Sequence, residues 1–388
     1  MTTHVLQLPV PGGRIDSHSV GSPGPFTPPR SPLRSRVAYA AAHVVADPLA
    51  ENTPGSRAVL DWERTLAFRH ELWRWGFGVA EAMDTAQRGM GLDWATAAEL
   101  IRRSATEART VGGRIVAGVS TDQLVQQTPT LDQVAGAYLD QLSVAEDAGA
   151  VPVMMASRAL ARAARGREDY LAVYDKVLGQ ASQPVILHWL GEMFDPQLEA
   201  YWGAADLDSA ADTVISLLHT HASRIDGIKL SILDADRERA LRRRLPAGVR
   251  LYTGDDFNYS DLIRGDEEGY SDALLGVFAA IAPAASHALQ ALDAGDTDAY
   301  REAMDRTVPL GRHLFAAPTF RYKCGVVFLA WLNGHQDHFT MVDGAQSGRS
   351  LTHLSELFRL ADQAGVLSDP DLAVARMRTL LQIYGVVS

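Results

Sequence analysis

One lysine in an otherwise apolar segment is the side chain of this sequence best suited to covalent chemistry. Lys229 interrupts the run IDGIKLSIL, which spans residues 225–233. Transfer of a lysine out of water disfavours its charged form and lowers its pKa, and the neutral amine is a nucleophile. It attacks a ketone or aldehyde to give an iminium, which draws electrons from the neighbouring carbon and lets a carbon–carbon bond form or break. An ion pair with Asp84 or Asp255 would instead make the lysine structural, and this pattern alone leaves both interpretations open.

Other polar residues stand where neighbouring apolar runs end. They are His43, Asp84, Thr85, Gln87, His188, Glu192 and Asp255. Imidazole exchanges protons near neutral pH, whereas carboxylates and amides hydrogen-bond to substrate hydroxyl groups. We therefore expect His188 to act with Lys229 in catalysis and the remaining six residues to bind the substrate.

The elements that must position these residues alternate regularly along the chain. Eight short apolar runs are separated by amphipathic helical segments, and they lie at residues 37–45, 77–83, 114–120, 151–157, 184–190, 226–232, 249–254 and 273–279. This alternation is typical of βαβ units and a parallel sheet. Eight such runs predict an α/β protein with a closed (β/α)8 TIM barrel. Barrel enzymes build their sites at the C-terminal ends of the strands, which is where the polar residues above occur.

The regions outside the barrel have a different composition. Residues 1–35 are rich in Pro, Gly and Ser, so we expect an extended or disordered N-terminal arm. The barrel is predicted to span residues 36–283. Residues 284–388 have a helical pattern and are predicted to form a C-terminal helical extension packed on the barrel.

Composition restricts the classes of partner. With 36 basic and 47 acidic residues the formal net charge is −11, so no broad basic surface is expected for nucleic acid or anionic lipid. No segment approaches the roughly 20 apolar residues of a membrane span. The single cysteine, Cys324, excludes an internal disulfide and a cysteine-based metal cluster. We expect a cytoplasmic protein whose partner is a small molecule.

Six segments of the barrel region carry further motifs in a consistent order. They are EAMDTAQRGMGLDWATAAELIRR (81–103), GGRIVAGVS (112–120), SVAEDAGAVPVMMAS (143–157), QPVILHWLG (183–191), RIDGIKLS (224–231) and VRLYTGDD (249–256). Together they resemble the dihydrodipicolinate synthase / N-acetylneuraminate lyase family of class I aldolases, over roughly residues 36–330. The resemblance implies that Lys229 is the Schiff-base lysine, that no cofactor is required, and that the chain forms a homo-oligomer as a divergent branch of the family.

The departures from that family concern the substrate and the proton carrier. The family's relay tyrosine follows the fourth strand, where this chain has SRAL at residues 157–160, so proton transfer would fall to His188, His43 or Tyr39. The family's two carboxylate-binding hydroxyl residues correspond to Asp84 and Thr85. An aspartate there would repel a substrate carboxylate by on the order of several kcal/mol in a dry site.

Two further positions of the family's motifs also differ. Gln87 stands where the family's motif has a glutamate. The family's arginine after the fifth strand is missing, and the segment HWLGE, residues 188–192, occupies that position. The expected substrate is a small hydroxylated carbonyl compound, sugar-like or an oxo-acid. Within this class a sugar-like aldehyde or ketone suits the aspartate better than pyruvate, because carboxylates accept hydrogen bonds from hydroxyl groups.

Two alternative functions fit parts of the same pattern. His188, Glu192 and Asp84 have the donor types for a divalent metal, which would make the protein a metal-dependent sugar isomerase or class II-type aldolase without a nucleophilic lysine. A degenerate barrel that binds a ligand without catalysis is the third possibility. The class I aldolase is the preferred hypothesis, because the resemblance to that family implies a Schiff-base role for Lys229.

Overall fold

A computed structural model describes residues 4–386 of the chain. Within this part, ten strands occur: β1 (Val5–Val10), β2 (Arg14–Ser19), β3 (Ala38–Ala41), β4 (Gly78–Glu81), β5 (Ile115–Val119), β6 (Val151–Met154), β7 (Val185–Leu190), β8 (Ile225–Ser231), β9 (Arg250–Thr253) and β10 (Asp272–Leu275). Strands β3 to β10 are parallel to their neighbours and close into an eight-stranded barrel, in which β10 pairs with β3. The predicted (β/α)8 TIM barrel is confirmed, and each of the eight barrel strands lies within or overlaps one of the eight apolar runs.

The helices alternate with these strands and continue beyond them. They are α1 (Trp62–Arg74), α2 (Trp94–Val111), α3 (Leu131–Ala148), α4 (Arg158–Ala163), α5 (Arg167–Leu178), α6 (Leu207–Thr220), α7 (Ala235–Arg242), α8 (Tyr259–Arg264), α9 (Phe278–Asp293), α10 (Thr297–Asp305), α11 (Val308–Leu314), α12 (Tyr322–Leu332), α13 (Leu351–Gln363) and α14 (Pro370–Ile383). Short 3₁₀ segments occur at Asp84–Ala86, Pro196–Leu198, Tyr201–Gly203, Ala222–Arg224, Thr319–Arg321 and Val342–Gly348.

Local sequence signals explain where the long helices of the barrel begin and end. Helix α2 starts at Asp93, whose side chain accepts a hydrogen bond from the backbone of Thr96, and stops at Gly112 in the left-handed conformation. Helix α3 starts with a complete capping box formed by Thr130 and Gln133. These caps fix the points at which the chain turns back toward the next strand.

The described residues divide into two compact units. The barrel unit comprises Arg36–Ala42 and Gly78–Leu275, and the helical unit comprises the remaining described residues. The inside of the barrel is filled by apolar side chains from its strands and strand ends: Tyr39, Ala41, Ala80, Met83, Val116, Val153, Met155, Ile186, Tyr252 and Leu274. Such a packed interior leaves room for chemistry only toward the ends of the strands.

The helical unit contains more regular structure than its sequence predicts. The N-terminal arm contains an antiparallel hairpin of β1 and β2, in which Leu6 and Leu8 are buried. The C-terminal segment is helical as predicted, although the expected boundary at residue 283 falls inside α9. Residues 1–3 of the predicted arm and residues 387–388 of the predicted extension lie outside the described part of the chain. The packing of the extension on the barrel stays a prediction.

Helix α12 is the most apolar helix of the C-terminal segment. All of its residues, from Tyr322 to Leu332, are buried. Among the described residues, no helix combines the length and apolar character that crossing a bilayer requires. Cytoplasmic location and homo-oligomerisation stay predictions.

A buried polar network fixes the loop after β4. Arg88 donates to the Asp122 carboxylate, to the carbonyl oxygens of Ala82 and Gly118 (3.2 Å each) and to Gln141 Oε1 (2.9 Å). Burial acts to raise the pKa of Asp122, but the adjacent Arg88 charge and hydrogen bonds hold that pKa below its ordinary value. Arg88 is thus a buried residue that joins the ends of two strands.

Replacement of Arg88 by methionine should destabilise the barrel unit. The change keeps the apolar stem but leaves the Asp122 carboxylate without its cation, which costs roughly 3 kcal/mol in free energy of unfolding. The measurement is urea denaturation at pH 7. Arg102→Met, on the exposed face of α2, should cost less than about 1 kcal/mol. Equal effects of the two substitutions would contradict the assigned role of Arg88.

Candidate active site

Lys229 lies on β8, the sixth strand of the barrel, and its side chain points into the barrel. In the parallel pairing it is level with His188 on β7 and Tyr252 on β9. Trp189 follows His188, and Leu230 follows Lys229. Both line a cavity together with residues of α6 and α7, so their side chains face outward. Successive strand residues alternate between the two faces, and Lys229 and His188 therefore face inward.

The barrel wall leaves space for the lysine stem at one glycine. A Cβ atom at Gly254, directly after β9, would lie 2.9 Å from Lys229 Cε and would also clash with the Ser231 hydroxyl. The Gly254 amide meanwhile donates to the Leu230 carbonyl oxygen at 2.8 Å, which continues the pairing of β8 and β9. A glycine at this position thus lets the lysine lie against the backbone of the neighbouring strand.

Burial dominates the electrostatics of the Lys229 amine. Lys229 is only 5% exposed. Loss of hydration lowers its pKa below the ordinary value, while the negative charges of Asp84 and Asp256 act in the opposite direction without cancelling the effect. The amine therefore releases its proton more readily than a surface lysine and is more often nucleophilic.

His188 is the imidazole beside this amine. Its Nε2 lies 3.2 Å from the hydroxyl of Ser231, and its Nδ1 is buried without a hydrogen-bond partner in the described part of the chain. Burial lowers the pKa of His188 well below its ordinary value; the Lys229 charge adds to this shift and Asp84 opposes it. His188 is therefore a neutral imidazole.

The loop after β4 supplies the second group of predicted residues. Asp84, Thr85 and Ala86 form a 3₁₀ turn, and Gln87 follows in the left-handed conformation. Thr85 and Gln87 are buried, and the side-chain amide of Gln87 donates to the carbonyl oxygen of Met90 at 3.1 Å. Asp84 is partly exposed, and its charge acts on both Lys229 and His188. The structure thus brings Asp84 into the electrostatic environment of the predicted catalytic pair.

The two aspartates after β9 have different surroundings. Asp255 accepts hydrogen bonds from the backbone of Phe257 (2.9 Å) and from the backbone and side chain of Asn258 (3.0 and 2.8 Å), so it caps the following turn. The charge that acts on Lys229 from this loop is that of Asp256, which is buried. The sequence selects Asp255, and not Asp256, as the substrate-binding residue. Substrate binding by Asp255 stays a prediction.

The two remaining residues that the sequence predicts for substrate binding are Glu192 and His43. The Glu192 side chain is exposed after β7. His43 belongs to the helical unit, where Nε2 is 3.0 Å from Gln336 Oε1 and the ring packs on Phe68. Burial, with a smaller contribution from the charge of Arg69, lowers the pKa of His43 to about 3. Their roles in substrate binding stay predictions.

The alternative metal site is not assembled. Among residues 4–386, no three histidine, cysteine, aspartate or glutamate side chains are grouped so that they could hold a metal ion. His188, Glu192 and Asp84 therefore do not form the ligand set that the metal-enzyme hypothesis requires.

A cluster of phenols lies where sequence reasoning expected none. The Tyr201 hydroxyl accepts a hydrogen bond from the backbone of Ser157 at 3.0 Å and lies 3.2 Å from the Tyr174 hydroxyl. The Ser157 hydroxyl is in turn 2.5 Å from that of Thr121. Burial raises the pKa of both tyrosines, so they are neutral. Tyr201 comes from the loop after β7, 44 residues further along the chain, and no local motif indicates its proximity to Ser157.

The fold of this chain is similar to that of several solved dihydrodipicolinate synthases. Dihydrodipicolinate synthase from Acinetobacter baumannii, complexed with pyruvate, is 16% identical, with a TM-score of 0.62 over 86% of this chain and 100% of that chain. The Thermotoga maritima enzyme is 14% identical, with a TM-score of 0.62 over 85% and 100%. The Cyanidioschyzon merolae enzyme with bound lysine is 16% identical, with a TM-score of 0.63 over 86% and 99%. At these identities the likeness shows a shared fold.

Sequence comparison gives the narrower assignment. A search of curated protein sequences finds no match. One family model, described as "Protein of unknown function (DUF993)", matches residues 6–386 and so covers both compact units. This chain belongs to the DUF993 family, whose barrel here has the fold of the dihydrodipicolinate synthases.

Proposed function

We propose that this protein is a carbon–carbon lyase of the class I aldolase type, which forms a Schiff base between Lys229 and a small hydroxylated carbonyl compound. One observation carries the proposal: the Lys229 amine lies inside the barrel, level with a neutral imidazole and under the influence of two carboxylates. The fold it shares with dihydrodipicolinate synthases supports the same reaction class.

The chemistry follows from a neutral amine in a dry site. The Lys229 amine adds to the substrate carbonyl to give a carbinolamine, and loss of water gives a protonated imine. A base then removes the proton from the hydroxyl group on the second carbon from the imine carbon. The bond between this hydroxyl-bearing carbon and the carbon next to the imine breaks. The hydroxyl-bearing carbon leaves as an aldehyde, and the electron pair moves toward the iminium to give an enamine. Protonation of the enamine carbon and hydrolysis release the second product and restore the amine.

His188 is the proposed proton carrier for these steps. The imidazole is uncharged, so it can accept a proton, and its Nδ1 is the nitrogen not engaged with Ser231. Because the positive Lys229 lowers the pKa of His188, conversion of the ammonium to the free amine makes His188 a stronger base. The two groups are thus coupled, and the protonation of each affects that of the other.

The charges around the amine define the proposed substrate class. Asp84 and Asp256 are carboxylates, which accept hydrogen bonds from hydroxyl groups and repel a second carboxylate. Thr85, buried beside Asp84, offers a hydroxyl group. A polyhydroxylated aldehyde or ketone therefore suits the site better than pyruvate, because its hydroxyl groups can donate to both aspartates.

Lys229→Met should abolish covalent trapping of a carbonyl substrate. The wild-type protein, incubated with a panel of hydroxylated aldehydes and ketones and reduced with borohydride, should gain the mass of one ligand less one oxygen atom on the peptide that contains Lys229. The sequence has only three lysines, Lys176, Lys229 and Lys323, so mass spectrometry assigns the adduct without ambiguity. Methionine removes a buried amine and keeps the stem volume, so folding should be preserved.

Lys176→Met is the matched control for this experiment. Lys176 is exposed on α5 and pairs with Asp132, so its loss should leave both trapping and activity unchanged. An adduct that persists in Lys229→Met, or none in the wild type with any member of the panel, would contradict the proposal.

The rate of the reaction should rise with pH through an apparent pKa below 10.5, because only the neutral Lys229 amine attacks the carbonyl. Asp256→Asn removes a negative charge that raises this pKa, so the midpoint of the kcat/KM profile should move to lower pH by roughly half a unit or more. Asp208→Asn, on the exposed face of α6, is the control and should leave the midpoint in place. A shift to higher pH in Asp256→Asn would refute the assigned electrostatics.

A further inference from the structure

A buried carboxylic acid lies behind the strand end that carries the acidic loop of the site. Glu238 projects from α7 and is almost completely buried. The Thr253 hydroxyl donates to Glu238 Oε2 at 3.0 Å, and the Ser271 hydroxyl donates to Oε1 at 2.7 Å. Thr253 ends β9 and Ser271 directly precedes β10, so one side chain joins two neighbouring strands from outside the barrel.

The Thr253 hydroxyl extends this connection into the loop. It accepts a hydrogen bond from the Asp255 backbone amide at 3.2 Å, and Asp255 in turn caps the turn around Phe257 and Asn258. Asp256 lies within this turn. A continuous chain of hydrogen bonds therefore runs from Glu238, outside the barrel, to the loop whose second aspartate acts on Lys229 inside it.

The acid at the base of this chain is neutral near pH 7. Burial raises the pKa of Glu238 to about 8, the negative charge of Asp255 adds to the rise, and the hydroxyl donors and Arg242 oppose it. Asp255 has a raised pKa for the same main reason, and Asp234 at the start of α7 adds to that rise. An ionised Glu238 would place a further negative charge behind a loop that already carries two aspartates.

We infer that Glu238 is a positioning residue: through Thr253 it holds the 255–258 turn so that Asp256 remains close to the Lys229 amine. The inference rests on the proposed role of Lys229. It assigns a function in the active site to a residue of the outer helix layer that contacts neither the amine nor any substrate.

The pKa of the Lys229 amine is the direct readout, because it reports the position of Asp256 and needs no substrate. Competitive acetylation of the three lysines as a function of pH, followed by mass spectrometry, measures it. Thr253→Val breaks the chain of hydrogen bonds, and Glu238→Ala removes its anchor. In both variants Asp256 should move away, and the pKa of Lys229 should fall by roughly half a unit or more. Thr253→Ser, which restores the hydroxyl group, should return the wild-type value.

Glu238→Gln separates positioning from simple packing. The amide keeps the size and a hydrogen-bonding oxygen but has no proton to lose, so the Lys229 pKa should stay at the wild-type value.

The raised pKa of Glu238 also predicts that wild-type thermal stability declines as the pH rises from about 4.5 toward 8, because the carboxyl group ionises at lower pH in the unfolded chain than in the folded protein. That part of the decline should be absent in Glu238→Gln. Asp236→Asn, exposed on the same helix, should change neither readout.

The outcomes separate this inference from the proposed function. An unchanged Lys229 pKa in folded Thr253→Val and Glu238→Ala would overturn the positioning role, whatever the protein catalyses. A lowered pKa in these variants, together with no borohydride adduct in the wild type, would support the positioning role and reject the lyase.

Discussion

The removal of one amine from water is the constraint on which the site depends. Loss of hydration can lower the pKa of a fully buried lysine by several units, because it disfavours the charged form. In this protein the cost is only partly offset, because Asp84 and Asp256 act on Lys229 while neighbouring strands supply a neutral imidazole and apolar side chains. Complete neutralisation by a close ion pair would give a stable but unreactive lysine. Burial instead keeps the pKa of this amine below its ordinary value despite the two carboxylates.

The surrounding structure can be understood as support for that amine. Gly254 gives the lysine stem room against the neighbouring strand, and the Ser231 hydroxyl lies within reach of His188 Nε2. The buried Arg88 network ties together the ends of β4 and β5, whose loops form the same end of the barrel. These features lie at the C-terminal ends of strands, where barrel enzymes build their sites. The helix layer contributes through Glu238, which reaches the strands from outside.

The sequence predicts the barrel well because its signals are local. Each strand is a short apolar run between helical segments with clear caps, and the eight runs correspond to the eight barrel strands. Lys229 and His188 are also conspicuous in the sequence, since they are polar residues inside buried runs and alternation places both on one face. Their catalytic role stays a proposal. The apolar runs do not locate the strand ends to within one residue. Residues 42–45, for example, belong to the first run but lie beyond the end of β3.

The rest of the site depends on contacts that no local pattern encodes. Asp255 and Asp256 are identical in type and adjacent, so only the hydrogen bonds of the turn distinguish the cap from the residue that acts on Lys229. Glu238 lies on a helix rich in charged residues, where a buried acid cannot be told from exposed ones. Tyr201 meets Ser157 across 44 residues of chain. Tertiary packing places each of these groups, and the sequence shows only their types.

A crystal structure of the protein reduced with borohydride in the presence of dihydroxyacetone, or of another hydroxylated ketone that binds, would show whether Lys229 forms the Schiff base. We expect continuous electron density from Lys229 Nζ to the former carbonyl carbon, with the ligand hydroxyl groups within hydrogen-bond distance of Asp84 or Asp256. A ligand bound without a covalent bond to Lys229, or attached to Lys323 instead, would contradict it.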